Sequence, residues 1–318
     1  MPIFDQSYVN GFLQKPIELE KEIKLARGDA LDGSEQALSY TDEECAYIEA
    51  EKTRLYEVLK QGQPRNQLQK GQIKNFVLTA GGPGSGKTTL INNVYDQTLR
   101  ARKDMQMSGV SIYIDPDETI LKNMVRYQQD LGDQSPENQV AAYTKWRWAS
   151  NYISHSLMNR ACDDGFDIFY GTTGTSPAML DLYDKIHAQG YEITVLVVAA
   201  PDAVRVESSH KRHAEKRDRF TPEKDVVEKG KMAYASIANH FLKADSLAVH
   251  WRDQVDASPV LAAVLVRGRC AVHDRAAIDA LNADFARVAK GPLWDDLVRI
   301  AREAHSKGPA GPAVPQPT

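Results

Sequence analysis

The chain has 318 residues, of which 42% are hydrophobic and 26% are charged, a composition that excludes a chain disordered throughout its length. Lys and Arg number 39 and Asp and Glu number 43, so the formal net charge is -4, which argues against a nucleic-acid coat protein and a polybasic membrane binder. The three cysteines are far apart and form no C-x-x-C pair, which argues against a disulfide framework and a structural zinc site and favours a reducing compartment.

No stretch of the sequence is apolar over the roughly 18 residues that a membrane-spanning helix needs. The start of the chain, MPIFDQ, lacks the basic residues and apolar core of a secretory signal. We therefore expect a cytoplasmic protein without a membrane partner. Delivery into a target cell by a route that needs no apolar signal stays open as an alternative.

Residues 1–72 form the first predicted segment, an extension of polar helices without a strand. Its clearest helix spans residues 41–60, where Thr41 and Glu44 form a capping-box pattern. The polar, turn-rich residues 62–71 predict a boundary. We expect the extension to pack as extra helices on the sheet, because amphipathic helices usually bury their apolar stripe. The alternatives are that it covers a nucleotide site or docks a chaperone.

From residue 73 onward, short apolar runs alternate with longer helical stretches, which predicts βαβ units around a mostly parallel sheet. The predicted strands are residues 75–80, 110–114, 166–170, 193–199 and 247–251, followed by a hairpin at 262–266 and 270–273 and by helices at 275–289 and 293–305. The fold class is therefore α/β, a three-layer fold like that of P-loop NTPases and kinases, over residues 73–306. The Gly/Pro-rich residues 307–318 are predicted to be a disordered tail.

Residues 81–88, GGPGSGKT, fit the phosphate-binding pattern G-x-x-x-x-G-K-[ST]. Glycines let the backbone wrap around phosphate oxygens, and the start of the following helix adds partial positive charge. We expect Lys87 to reach the β- and γ-phosphates of ATP and the Thr88 hydroxyl to ligate Mg²⁺. The predicted nucleotide-binding residues are Gly82, Pro83, Gly84, Ser85, Gly86, Lys87, Thr88 and Thr89.

The second strand ends in the acidic segment DPDE, residues 115–118. The sequence contains no N-K-x-D guanine motif and no L-S-G-G-Q transporter motif, which favours a phosphotransferase over a GTPase or a transporter. A carboxylate at this position can accept the proton of an acceptor hydroxyl. Asp117 is the predicted base, and Asp115 is the second choice for that role and a candidate Mg²⁺ ligand. The alternative is that either residue only caps the following helix.

Two further segments carry residues suited to phosphates and sugars. Residues 210–219, after the fourth strand, are rich in Lys and Arg, and an arginine arm can neutralise the charge on a transferring phosphoryl group. Glu215 and Asp218 interrupt this run, which argues against a nucleic-acid patch. The hydroxyl-rich residues 171–176, after the third strand, lie where α/β sheets bind ligands, although Ser176 also suits a helix N-cap.

Four segments in this order resemble the zeta-toxin family of P-loop kinases: GGPGSGKTT, YIDPD, GTTGT, and an arm with two arginines followed by Thr-Pro. The resemblance implies that Lys87 is the P-loop lysine, that Asp117 is the catalytic aspartate and that Thr173 is a substrate-loop threonine. It also implies that Arg212 and Arg219 hold the γ-phosphate. Known zeta toxins phosphorylate a sugar hydroxyl of UDP-N-acetylglucosamine and are usually neutralised by a small helical antitoxin.

The resemblance covers about residues 73–245 and departs from the family on the substrate side. The family's substrate loop typically reads E-G-T-G-R, whereas this chain has Gly171 in place of the acidic residue and Thr175 in place of the arginine. His155 falls where zeta toxins carry a substrate-binding glutamate. The residues assigned to the acceptor are Asp115, His155, Thr172, Thr173 and Thr175.

A kinase for small molecules that uses ATP and Mg²⁺ is the leading interpretation. Its acceptor would be a nucleotide or a nucleotide sugar such as UDP-N-acetylglucosamine, and its protein partner a small antitoxin or a chaperone. A zeta-like branch among plant-pathogen effectors phosphorylates NAD on an adenosine ribose hydroxyl and is an equally reasonable template. A polynucleotide 5′-kinase is a further alternative, against which the acidic net charge argues. The last alternative is a nucleotide-binding interaction module without catalysis.

Overall fold

A computed structural model describes residues 2–16, 18, 21, 39–61, 73–104, 110–132, 135–176, 179–216, 221–288 and 291–306. The predicted boundary at residues 62–71, the predicted tail at residues 307–318 and the predicted site residue Arg219 lie outside these ranges. Within the described ranges, no helix is long and apolar enough to cross a membrane.

Seven strands form a single sheet in the described part of the chain. They are β1 (Lys74–Ala80), β2 (Ser111–Ile114), β3 (Asp167–Tyr170), β4 (Tyr191–Ala199), β5 (Ser246–Trp251), β6 (Val260–Val266) and β7 (Arg269–Val272). Their order across the sheet is β2-β3-β1-β4-β5-β6-β7. The first five strands pair in parallel, and β6 and β7 add an antiparallel hairpin at one edge. The predicted α/β fold with a mostly parallel sheet is therefore confirmed.

Helices connect the parallel strands and extend the chain at both ends. The described helices are α1 (Gln6–Gln14), α2 (Asp42–Leu59), α3 (Lys87–Asp104), α4 (Val125–Leu131), α5 (Pro136–Asp163), α6 (Met179–Ala188), α7 (Asp202–Lys216), α8 (Glu223–Lys243), α9 (Arg275–Val288) and α10 (Trp294–Ser306). A turn of π-helix (Pro116–Ile120) and a 3₁₀ turn (Leu121–Asn123) follow β2. The predicted capping box starts α2, since the Thr41 side chain and the Glu44 side chain each accept from the other residue's backbone N–H.

One hydrophobic core joins the N-terminal helices to the sheet. Leu78 of β1 and Val195 of β4 belong to the same buried cluster as Phe12 of α1 and Leu55 of α2. The sequence predicted that the extension packs on the sheet, whereas α1 and α2 make their main packing contacts with α5. The N-terminal helices are therefore attached to the long helix that precedes β3.

The carboxyl ends of the five parallel strands lie at one edge of the sheet, and the loops that leave them carry the predicted site. The phosphate loop follows β1, Asp115 follows β2, and residues 171–175 follow β3. Strand β1 has β3 on one side and β4 on the other, so the connections beside it leave in opposite directions. Open parallel sheets form a ligand crevice at such a switch point.

Candidate active site

A cleft of about 780 Å³ opens at this edge of the sheet. Its walls come from the phosphate loop, the acidic segment after β2, the hydroxyl-rich loop after β3, the segment after β5, and faces of α5 and α7. Ligand pockets usually measure roughly 300–1,000 Å³, so the cleft can hold a nucleotide-sized ligand. The fold therefore brings together segments that are far apart in the sequence.

The phosphate loop has a backbone that only glycine adopts without strain at several positions. Gly81, Gly84 and Gly86 have φ angles of +146°, +75° and +101°. A Cβ atom on Gly81 would lie 2.1 Å from the carbonyl oxygen of Val198, a distance at which two atoms collide. The loop thus follows the tight, wrapped course that exposes backbone N–H groups to an anion.

Lys87 is the first residue of α3, and its ammonium group lies over the loop. Its Nζ atom donates to the carbonyl oxygen of Gly82 at 2.7 Å. Burial of the ammonium lowers the pKa of Lys87 to about 7, and the nearby guanidinium of Arg212 is the second cause of this shift. Phosphate oxygens would favour the charged ammonium and raise this pKa again. Thr88 and Thr89, the next two predicted residues, line the same cleft.

A buried arginine supports the phosphate loop from behind, and the sequence analysis did not identify it. Arg205 on α7 has only 2% of its surface exposed. Its guanidinium donates to the carbonyl oxygens of Ala200 at 3.1 Å and Val226 at 2.6 Å, and it pairs with Asp202. An arginine on a strongly polar helix usually lies in solvent, so only the i,i+3 spacing from Asp202 could have indicated this role.

Two glycines make room for the Arg205 guanidinium. A Cβ atom on Gly82 in the phosphate loop would lie 2.6 Å from one terminal nitrogen, and a Cβ atom on Gly230 of α8 would lie 1.9 Å from the other. The guanidinium is therefore held between the loop and α8. Any change in its position must be transmitted to the loop, because interiors are close-packed.

Asp115 and Asp117 differ sharply in their surroundings, although only one residue separates them. One Asp115 carboxylate oxygen accepts from the backbone N–H groups of Asp117 and Glu118, each at 2.9 Å, and the other accepts from the Tyr113 hydroxyl at 3.2 Å. Burial raises the pKa of Asp115 to about 6. Asp117 is exposed in the cleft. The capping alternative therefore describes Asp115, whereas Asp117 lines the cleft with an exposed side chain.

The Asp115 carboxylate leaves no room for a side chain at position 171. A Cβ atom at position 171 would lie 1.9 Å from a carboxylate oxygen of Asp115. The Gly171 N–H also donates to the carbonyl oxygen of Ile114 at 2.9 Å, which ties the two loops together. Gly171 stands where the family pattern has an acidic residue. The carboxylate beside the start of the hydroxyl-rich loop is therefore that of Asp115.

The predicted threonines lie in the same loop and line the cleft. Thr172 exchanges hydrogen bonds with the Thr79 hydroxyl at 2.7 and 3.0 Å, which fixes the loop to β1. The hydroxyls of Thr173 and Thr175 are 3.0 Å apart. Together they offer two adjoining hydroxyl groups to a ligand, and their contact with an acceptor stays a prediction.

Basic side chains from two elements complete the wall beside the phosphate loop. Arg212 of α7 lines the cleft, and its guanidinium is close enough to lower the pKa of Lys87. Arg252, which follows β5, donates to the carbonyl oxygen of Gly84 at 3.0 Å and to the Ser208 hydroxyl at 3.0 Å. Sequence reasoning did not single out Arg252, because it stands alone after an apolar strand.

One face of α5 forms the opposite wall of the cleft, and the sequence analysis missed it. Tyr143, Arg147 and Asn151 are spaced four residues apart and all line the cleft. Residues at this spacing share one side of a helix. The Arg147 guanidinium also lies 4.4 Å from the centre of the Trp148 ring. The spacing could have revealed a polar face, but not that this face lines the same cleft as the phosphate loop.

The structure does not bring His155 to the cleft. Its imidazole is buried under α1, where the Phe12 ring stacks on it at 5.0 Å and the Phe4 ring meets it edge-on at 4.2 Å. Its Nδ1 atom hydrogen-bonds the Asn151 carbonyl oxygen at 2.8 Å. Burial lowers the pKa of His155 to about 4. The N-terminal helix therefore covers the position that the resemblance assigned to the acceptor.

The burial of His155 predicts a loss of stability in mild acid. Above about pH 6.5 the imidazole is neutral in both states, whereas between pH 6.5 and 4 only the unfolded chain binds the proton. As the pH decreases from 6.5 to 4, this residue should therefore lower the free energy of unfolding by up to about 3 kcal/mol. In His155→Phe, which keeps the aromatic stack, urea unfolding at pH 7, 6 and 5 should show a shallower loss. His273→Gln, at an exposed histidine, is the control, and equal pH slopes in all three proteins would contradict the prediction.

The donor set of the cleft fits Mg²⁺ that arrives with a nucleotide. The described residues contain no cluster of three or more His, Cys, Asp and Glu side chains that could hold a metal ion by themselves. Thr88, Asp115 and Asp117 nevertheless line the same cleft. Mg²⁺ is usually bound by one or two carboxylates together with substrate phosphates, rather than by a cage of protein ligands.

Comparison with known proteins gives one matching family model and several solved structures with TM-scores below 0.5. The family model described as Zeta toxin matches residues 59–255. No curated protein gives a significant match. A protein of the PezAT chromosomal toxin–antitoxin system of Streptococcus pneumoniae is 14% identical, with a TM-score of 0.49 over 85% of this chain and 98% of that one. The AvrRxo1-ORF1:AvrRxo1-ORF2 complex gives 13% identity and a TM-score of 0.47 with sulphate ions, and 12% and 0.46 with ATP; each alignment covers 82% of both chains.

Proposed function

The chain belongs to the zeta-toxin family, and on that premise we propose that it is a kinase that transfers the γ-phosphate of ATP to a hydroxyl group of a phosphorylated small molecule. The observation that carries the proposal is the meeting of three groups in one cleft: the wrapped phosphate loop with Lys87, the exposed carboxylate of Asp117, and Arg212 of α7. Phosphoryl transfer is catalysed mainly by positioning and by neutralisation of charge, which are the properties that this combination offers.

In the proposed reaction, the bond between the γ-phosphorus and the bridging oxygen of ADP breaks, and a bond to the acceptor oxygen forms. The acceptor hydroxyl gives its proton to the Asp117 carboxylate. Lys87 and Arg212 hold the phosphate oxygens and stabilise the negative charge that spreads over them. Mg²⁺, held with ATP by Thr88 and Asp115, would neutralise the β- and γ-phosphate oxygens. The role that the resemblance gives to Arg219 is kept as part of the proposal.

The charge of the cleft supports an acceptor that carries phosphate. Among its described lining residues seven are basic and four are acidic. Two of the basic residues, Arg147 and Lys122, which pairs with Glu118, belong to the segments after Asp117, so the positive charge of the cleft is not confined to the phosphate loop. The seven basic residues are Lys87, Lys122, Arg147, Lys211, Arg212, Lys229 and Arg252.

Tyr143 adds an aromatic ring to the wall that carries Arg147. A nucleotide offers a base to such a ring and phosphates to the guanidinium. Both candidates carry a base and phosphates: UDP-N-acetylglucosamine is the leading acceptor on the family membership, and NAD, with its adenosine ribose hydroxyl, is the alternative. A small antitoxin protein is the proposed partner, on the family membership alone.

The proposal is tested by transfer of labelled γ-phosphate from ATP in the presence of Mg²⁺. The acceptors are UDP-N-acetylglucosamine, NAD, their counterparts without phosphate (N-acetylglucosamine and adenosine), and a 5′-hydroxyl oligonucleotide. We expect product with one of the two diphosphates and at least about a hundredfold lower kcat/KM for its counterpart without phosphate. Equal rates with and without phosphate would reject the acceptor class, and product with the oligonucleotide alone would replace it. ATP binding without transfer to any acceptor would contradict the kinase proposal.

A further inference from the structure

The hydroxyl of Tyr40, just before α2, enters the backbone hydrogen-bond ladder of α5. It donates to the carbonyl oxygen of Lys145 at 2.5 Å and accepts from the N–H of Ala149 at 3.1 Å. These two backbone groups are four residues apart and would pair with each other in a regular α-helix. The Tyr40 ring stacks on Trp146 with 6.0 Å between ring centres. A side chain inserted in this way sets the local geometry of a helix.

The turn of α5 that Tyr40 enters carries two contacts of the cleft. Arg147, within the bridged turn, lines the wall opposite the phosphate loop. Ser150, one residue after Ala149, donates its hydroxyl to the carbonyl oxygen of Pro116. Pro116 stands between Asp115 and Asp117. A continuous set of hydrogen bonds thus leads from Tyr40, through one turn of α5, to the backbone beside the proposed base.

Helix α2 also holds the chain that follows the proposed base. The buried carboxylate of Glu51 accepts from the N–H of Val125 at 3.0 Å, and the Tyr47 hydroxyl accepts from the N–H of Arg126 at 2.9 Å. Arg54 donates to the carbonyl oxygen of Asn123 at 2.6 Å. The segment that contains Asp117 is therefore fixed on both sides by elements that touch the N-terminal extension.

We propose that Tyr40 is a positioning residue for phosphate transfer: through α5 and Ser150 it sets where the Asp117 carboxylate lies. The proposal rests on the proposed kinase function for its kinetic consequence, but its structural part stands on the hydrogen bonds alone. Residues 39–59 would therefore help to position the active site, although none of them is among the described residues that line the cleft. The phosphate loop itself lies outside this path, because Arg205 and Arg252 hold it.

The test compares Tyr40→Phe with wild type in the full chain. Phenylalanine keeps the ring on Trp146 and removes only the hydroxyl with its two hydrogen bonds, so this turn of α5 loses its link to the N-terminal extension. We expect kcat to fall about ten- to a hundredfold, since small displacements of reacting groups have effects of this size. The KM for ATP should change far less than kcat, because the phosphate loop lies outside the path. Hydrogen exchange of the amides of residues 117–120 should become faster. Ser150→Ala should reproduce the loss of kcat. The kcat of the double variant should be no lower than that of the less active single variant, because both changes break the same path.

Tyr152→Phe is the matched control. The Tyr152 hydroxyl also joins α5 to α2, through Glu49 and Lys52, but it does not enter the backbone ladder. It should lower stability without changing kcat. A Tyr40→Phe protein with wild-type kcat and wild-type exchange at residues 117–120 would overturn the proposal, as would an equal loss of kcat in Tyr152→Phe. If wild type transfers phosphate to no acceptor, the kinase proposal fails, and the exchange decides the positioning: faster exchange in Tyr40→Phe supports it, and unchanged exchange overturns it.

Discussion

Replacing Asp117 by asparagine is expected to lower phosphate transfer about a hundred- to ten-thousandfold, the usual contribution of a general base, while ATP still binds. The carboxylate is exposed in the cleft and caps no helix, so the amide should fit without disturbing the fold. Asparagine has the same size but accepts a proton far too weakly to act as the base. The measurement is kcat for labelled phosphate transfer, with ATP affinity determined separately by calorimetry.

Two neighbouring carboxylates provide the controls for this prediction. Glu118→Gln removes a negative charge from the same wall and breaks only the surface ion pair with Lys122, so kcat should change less than about tenfold. Asp115→Asn keeps an oxygen that can cap the following turn and tests the second-choice base. If Asp115→Asn abolishes transfer while Asp117→Asn remains active, the two roles are reversed. Full activity in both variants would reject a carboxylate base in this segment.

Replacing Arg205 by methionine is expected to lower the free energy of unfolding by about 3–5 kcal/mol, the usual effect of breaking a buried ion pair. Methionine fills much of the same space but cannot donate. The carbonyl oxygens of Ala200 and Val226 and the carboxylate of Asp202 would lose their donor. Because the guanidinium packs under Gly82, the phosphate loop should also loosen, and ATP affinity should fall. Urea unfolding and calorimetric titration with ATP measure the two effects.

Arg299→Met is the matched control for the loss at Arg205. Arg299 pairs with Asp296 at 3.2 Å and with Glu303 at 3.1 Å, and more than half of each of the three side chains is exposed. Exposed ion pairs contribute little, so its loss should change the free energy of unfolding by less than about 1 kcal/mol and leave ATP affinity unchanged. Equal effects of the two substitutions would mean that the burial of Arg205 has no special role.

The sheet and the phosphate loop could be predicted because their signals are local. Strands covered on both faces are nearly continuous apolar runs, and six of the seven predicted strands end at the observed residue, as β1 does at Ala80 and β4 at Ala199. The GGPGSGKT pattern fixes its own backbone, since glycines at positions 81, 84 and 86 are needed for the positive φ angles. Fold class and loop therefore follow from composition and spacing alone.

The supporting residues could not be predicted, because their roles arise from contacts between distant segments. Arg205 looks like a solvated residue on a polar helix, and only the packing of α7 and α8 under the loop buries it. His155 was assigned by resemblance to the acceptor side, but a helix at the N-terminus covers it. Gly171 looked like a lost acidic group, whereas the Asp115 carboxylate fills the space beside it. Sequence patterns describe neighbours along the chain better than neighbours in space.

The attachment of the N-terminal helices to α5 has a consequence for the order of synthesis. Tyr40 leaves the ribosome well before its partner in α5, which lies 105 residues further along the chain. Until then the surface of α5 on which α1 and α2 pack does not exist, and exposed apolar faces are prone to aggregate. The two helices can thus reach their final positions only after the phosphate loop and the acidic segment have been made. A protein that bound them in the nascent chain would delay the assembly of the cleft.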